Sequence, residues 1–183
     1  MDIFLSRLKK LGKTIQKDYP YINHGGCAIY AIAVAKELKK LRIHPKILVV
    51  SPERGDVNTD IRDVASIIKT KSNICEWNNQ GVIFRHVIIS FCFEGKQYHY
   101  DTDGLSKASE KYFDTGVKER YTLYKGHLSM LYAKEIVKRQ SGWNSTFDRN
   151  DIPAINQIVK DYMEPKRWAT REWLAAREID ITM

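Results

Sequence analysis

Two adjacent glycines, Gly25 and Gly26, deliver the chain to Cys27, and every residue from there to Ala35 is apolar within the stretch NHGGCAIYAIAVAKELKKL (23–41). No other segment limits the fold as strongly. A run of that length makes about two and a half helical turns without a polar face, so the rest of the chain has to cover the helix from every side. Lys36, Glu37, Lys39 and Lys40 then carry its far end into solvent. The glycines permit backbone angles that other residues avoid. A helix N-terminus presents unpaired N–H groups and a partial positive charge, which together favour a thiolate. A cysteine is also a common small core residue and then chemically inert. This stretch alone leaves both readings of Cys27 open.

A chain of 183 residues suits one domain, residues 1–183. Its parts are a basic amphipathic helix within 1–19, a core over 20–125 and a helical extension over 126–183. The three cysteines, Cys27, Cys75 and Cys92, leave one unpaired under any pairing. The N-terminal MDIFLSRLKKLGKTIQ is interrupted by basic residues before an apolar core forms, so it does not read as a secretory signal. Reduced thiols in a cytosol-like compartment, hence a cytoplasmic protein, are the expectation. No run approaches the length of a membrane span. The net charge of +8 raises the question of nucleic acid, and residues 1–42 hold nine Lys/Arg against three Asp/Glu. No nucleic-acid motif accompanies those cations, and a solvated basic face is the simpler account.

Along the chain, Phe4, Leu8, Leu11 and Ile15 recur at helical spacing, with Arg7, Lys9, Lys10 and Lys13 elsewhere, which predicts an amphipathic helix over 3–16 packed on the body of the domain. A turn-rich loop, 18–26, leads to Cys27. Ile47–Val50 reads as a short strand stopped by Ser51-Pro52, and Thr59 as the cap of a helix bearing Ile61, Val64, Ala65 and Ile68. A polar loop, 73–81, carries Trp77. Further on, 121–124 reads as a strand and 128–139 as a helix. Asp151 and Pro153 open a helix with Ile152, Ile155, Ile158, Val159 and Tyr162 on one face. Glu164-Pro165 ends that helix, and a last one carries Trp168, Trp173 and Leu174.

The second informative stretch is VIFRHVIISFCFEGKQYHYDTDGL (82–105). Two β-rich runs flank Glu94-Gly95, a two-residue hairpin turn. Pairing Phe93 with Lys96 sets His86 opposite Asp103 and Ile88 opposite Asp101, with the second strand running to Gly104. Alternation then projects His86, Asp101 and Asp103 from one face.

A cysteine at a helix start, a histidine on a following strand and a carboxylate on the next strand are the types that nucleophilic acyl transfer needs. The sulfur attacks a carbonyl, the histidine moves the proton, and the carboxylate holds the imidazole in the right tautomer. The pieces GGCAIYAIAVAKEL, RHVIISF and GKQYHYDTDG, in that order, resemble the papain-like superfamily with its transglutaminase-like, arylamine N-acetyltransferase and cell-wall peptidase branches. The resemblance covers about residues 20–105 and implies an α+β fold, with a buried cysteine-bearing helix packed on an antiparallel sheet. It implies Cys27 as nucleophile, His86 as general base and Asp101 as orienting acid, in a hydrolase of an amide, peptide or isopeptide bond with a protein or peptide substrate and no cofactor. Transamidation and acetyl transfer use the same three groups. Asp103 is the alternative acid, favoured by the direct cross-strand pairing. Papain's own CG-S-C-W signature and a glutamine shortly before the cysteine are both missing. The oxyanion-binding candidates are therefore the Cys27 backbone N–H, helped by Asn23 or His24, with Gly26 beside them.

Other uses of these residues are plain. His86 suits a hydrogen-bonded strand position, and Asp101 and Asp103 suit a turn ahead of Gly104. A metal site from His24, Cys27, His86 and His99 would need a second tight ligand pair that the sequence lacks, so no metal is expected. Cys75 and Cys92 read as structural. The rival to an enzyme is a non-catalytic interaction protein on the same scaffold, binding an acidic or nucleic-acid partner through its basic helix and Trp-rich tail.

Overall fold

A computed structural model describes residues 2–52, 86–106, 121–124 and 151–178. The helix expected over 59–68, the loop with Cys75 and Trp77, the strand start at 82–85 and the helix expected over 128–139 lie outside the described residues.

The chain opens with helix α1, Ile3–Asp18. The Asp2 side chain caps it by accepting the Phe4 N–H at 2.7 Å. Phe4, Leu8, Leu11 and Ile15 are all fully buried, as their spacing predicts, while Lys9, Lys10 and Lys13 stay in solvent. Arg7 does not belong to the solvated face. Its Nε donates to the Tyr162 carbonyl at 2.9 Å, and its guanidinium lies 4.0 Å from the centre of the Tyr162 ring.

Helix α2, Cys27–Lys40, is buried almost all round, with Cys27 through Ala31 and Ala33 through Ala35 shielded from water. Its approach differs from the expected turn-rich loop. Ile22–Gly26 winds as a π turn directly into α2, and Gly26 itself is helical at φ −91° and ψ −5°. Ile22, the first residue of that turn, is fully buried. Cys27 therefore does not open a free helix end, and the expectation that unpaired N–H groups surround it is corrected.

The described residues hold five strands: β1, Lys46–Pro52; β2, His86–Phe93; β3, Lys96–Asp101; β4, Gly104–Ser106; and β5, Tyr121–Tyr124. They form one sheet in the order β4-β3-β2-β1-β5, with every pair antiparallel. The architecture is α+β. β1 runs through Ser51-Pro52 instead of stopping there, because β5 pairs with Val49 to Pro52. A proline forfeits one donor but keeps its carbonyl, and at a strand's last residue that loss is confined to one bond.

The β2–β3 hairpin has the expected register, Phe93 opposite Lys96, around Glu94 at φ +50° and Gly95 at φ +73°. Two positive φ values make this the tight turn that matches strand twist. β3 ends sooner than expected. The chain turns back at Thr102-Asp103, so Asp101 pairs with Gly104, whose φ of +122° suits glycine. Gly12 of α1 lies against this turn, where any side chain would have its Cβ 2.4 Å from the Thr102 carbonyl oxygen.

The C-terminal part closes the core. Helix α3, Asp151–Met163, buries Ile155, Val159 and Met163. Ile152, Ile158 and Tyr162 pack partly buried at its edge. A 3-10 turn, Pro165–Arg167, leads to the short helix α4, Arg171–Ala175. Trp168 precedes α4 instead of lying within it. Phe4 is ringed by Phe91, Phe93, Trp168 and Trp173, with centroid distances of 6.1, 4.8, 6.1 and 6.0 Å. Both tryptophans are core residues, so the expected use of a Trp-rich tail as a partner-binding surface is corrected. Residues from α1, α2, β1, β2, β3, α3 and the tryptophan segment share one apolar cluster.

Candidate active site

The site forms where the start of α2 meets the ends of β2 and β3. Cys27 is the first residue of α2 and 4% exposed. His86 is the first residue of β2 and Asp101 the last of β3, with side chains 17% and 5% exposed. His86 Nε2 lies 2.8 Å from Asp101 Oδ2. A carboxylate can only accept, so Nε2 carries a proton and donates it. The Cys27 side chain acts on the same ring and helps it hold its proton.

Asp101 is held by the turn that follows it. Its Oδ1 accepts the Asp103 N–H at 2.9 Å, an Asx-type bond two residues ahead, leaving Oδ2 for the histidine. The same turn decides between the two acids. An uninterrupted strand would have set Asp103 opposite His86. Because the chain reverses at Thr102-Asp103, Asp103 swings into solvent and accepts from Gln16 Nε2 at 2.6 Å. The expectation of a strand reaching Gly104 is thereby corrected.

The surroundings favour charge on His86. Burial lowers its proton affinity, but the hydrogen bond to the Asp101 carboxylate and the Cys27 side chain acting on the ring outweigh it, raising the pKa from 6.5 to about 10. A histidine that binds its proton more tightly when folded adds stability that is complete below 6.5 and fades as pH climbs toward 10. The stability gap between the wild type and His86→Gln is therefore expected to narrow from pH 6 to pH 10 in urea titrations. A gap that stays constant across that range would mean that the folded protein does not hold this proton.

Beneath the acid lies a pair of phenols that the sequence reading did not single out. Tyr30, one turn beyond Cys27, is hydrogen-bonded to Tyr100, the residue before Asp101. Tyr100 donates to the Leu8 carbonyl at 2.6 Å, so Tyr30 is the donor between the phenols. Burial raises the pKa of both, and the Asp101 carboxylate adds to it, so they stay neutral hydroxyls. They tie α1, α2 and β3 together directly behind the site. The signal was the hydroxyl of Tyr30 itself, a buried polar atom in an apolar helix that had to find a partner.

Asn23 lies in the π turn, where its Oδ1 accepts from the Thr102 hydroxyl at 2.9 Å. His24 lies in the same turn, and Gly26 is buried next to Cys27. His99 occupies β3 opposite Ser90 and Ser106, and among the described residues no three His, Cys, Asp or Glu side chains are grouped to hold a metal ion. Cys92, expected to be structural, is exposed beside the hairpin turn. No described helix is long and apolar enough to cross a membrane. Compared with known proteins, the chain matches no family model, no curated protein and no solved structure.

Proposed function

We propose that the protein is a cysteine-dependent acyl-transfer enzyme of papain-like type that hydrolyses an amide, peptide or isopeptide bond through Cys27, His86 and Asp101. The observation that carries this reading is the single imidazole with its Nε2 2.8 Å from the Asp101 carboxylate and the Cys27 side chain acting on the same ring. A structural histidine gains nothing from a second, nucleophilic partner, whereas a catalytic one needs both. The order of the three groups along the chain and the helix-on-antiparallel-sheet arrangement agree with the resemblance.

The sulfur attacks the substrate carbonyl carbon while His86 holds the thiol proton. As the tetrahedral intermediate collapses, the C–N bond breaks and His86 passes that proton to the leaving nitrogen. A thioester remains on Cys27. Water then attacks it, giving its proton to His86, and the sulfur leaves. Asp101 keeps the ring oriented and stabilises the imidazolium throughout. An amine in place of water would give transamidation. The reaction needs a free thiol, which fits a reducing compartment such as the cytoplasm.

Iodoacetamide labelling tests the reading sharply because accessibility predicts the opposite order. Cys92 is exposed and Cys27 is 4% exposed. Activation by His86 is nevertheless expected to make Cys27 alkylate at least about tenfold faster than Cys92, and His86→Ala to remove that advantage. Timed mass spectrometry reads both sites in one sample. If Cys92 reacts first and Cys27 ignores the loss of His86, the protein is a binding module on this scaffold.

A further inference from the structure

Asp103 loses the contest for His86, yet it anchors a chain of hydrogen bonds with a defined direction. Its carboxylate can only accept, so the group of Gln16 that approaches Oδ1 at 2.6 Å is the amide NH₂. The same Nε2 lies 3.4 Å from Thr102 Oγ1, where it again donates. The Thr102 hydroxyl in turn donates to its other neighbour, Asn23, whose Oδ1 accepts at 2.9 Å. Thr102 is 2% exposed, so these directions are not averaged out by water. Asn23 ends the chain with its carbonyl turned toward Thr102 and its NH₂ group therefore turned away from it.

The chain starts on α1, crosses the turn that holds Asp101 and ends in the π turn that delivers Cys27. We propose that Asp103, Gln16 and Thr102 are positioning residues that fix the Asn23 amide with its NH₂ toward the substrate carbonyl oxygen. The proposal rests on the acyl-transfer reading and assigns an oxyanion donor to Asn23. It also gives Asp103 a role distinct from that of Asp101. With its amide reversed, Asn23 would offer a carbonyl to the developing negative charge and repel it.

Two reagents at one sulfur separate this role from general support of the site. p-Nitrophenyl acetate acylates Cys27: the sulfur bonds to the acetyl carbon, the carbonyl electrons move to oxygen, and p-nitrophenolate leaves as the thiol proton stays on His86. Iodoacetamide reacts at a saturated carbon and forms no oxyanion. Asn23→Ala is expected to slow the acylation burst about 10²-fold, and Gln16→Met, Thr102→Val and Asp103→Ala about tenfold. Alkylation of Cys27 is expected to be unchanged in all four. Asp103→Asn and Thr102→Ser keep the needed acceptor and hydroxyl and are expected to restore acylation. If Thr102→Val does not fold, the Gln16 and Asp103 variants, at the exposed end of the chain, decide the matter. Acylation and alkylation falling together would make the cluster a structural brace and overturn the proposal. So would undiminished acylation in Gln16→Met and Asp103→Ala. A wild type that shows no acylation of Cys27 and no His86-dependent alkylation would instead sink the acyl-transfer reading itself.

Discussion

Asp101→Asn is expected to lower acylation of Cys27 by about three to four orders of magnitude while leaving the fold standing. The present carboxylate spends Oδ1 on the Asp103 N–H and Oδ2 on His86 Nε2. An amide at this position keeps its oxygen on that N–H and turns its NH₂ toward Nε2. Two donors then face each other unless the ring gives up the Nε2 proton, and the neutral imidazole places its remaining proton on Nδ1, the nitrogen that the proposed mechanism uses. A base already carrying a proton on the working nitrogen cannot take another, and the charge that stabilises the imidazolium is gone. Asp103→Asn is expected to have little effect on the same assay, because it neither touches the ring nor loses the oxygen that Gln16 requires. Burst kinetics with p-nitrophenyl acetate, with Cys27→Ser as the blank and thermal melts as the folding control, reads all three variants. A severe Asp103 variant beside a mild Asp101 variant would reverse the assignment of the acid. Activity retained in Cys27→Ser would remove the triad altogether.

Phe4→Ala is expected to cost about 3–5 kcal/mol of stability, the largest loss from any single truncation proposed here. Phe4 is fully buried and contacts four aromatic rings contributed by β2 and the tryptophan segment. Those rings are braced by their own contacts, Trp168 against Trp173 at 4.8 Å and the Trp168 Nε1 on the Met163 carbonyl at 3.1 Å. A site walled by rigid rings does not collapse to fill a cavity, so the lost contacts are not recovered. Urea unfolding monitored by tryptophan fluorescence measures the loss. A change below about 1 kcal/mol would mean that α1 is only lightly docked and that the basic helix is free to act apart from the core.

Local pattern carried much of the architecture. Four apolar residues at helical spacing were enough to orient α1, because a helix has one face to bury and the period names it. Glu94-Gly95 between two alternating runs was enough to pair Phe93 with Lys96. The three candidate residues were legible for the same reason: Cys27 begins α2, and His86 and Asp101 flank one hairpin whose register a two-residue turn dictates. Arg7 was misread as part of a solvated basic face, since nothing in residues 1–18 announces a partner at Tyr162.

The residues by themselves determined that a helix beginning at Cys27 must be buried and that His86 must lie near the YDTDG segment, because hydrophobic period and hairpin register are short-range properties. Which acid meets the histidine was decided only in three dimensions. Extended to Gly104, β3 would have presented Asp103 to His86; with the Asp103 N–H bonded to Asp101 Oδ1 and Gly12 leaving room for the Thr102 carbonyl, the strand ends three residues earlier, at Asp101. The environment of Cys27 was decided in the same way. Ile22–Gly26 winds as a π turn straight into α2, so the group that acts on the Cys27 side chain is His86, fifty-nine residues on in sequence, and not a free helix end.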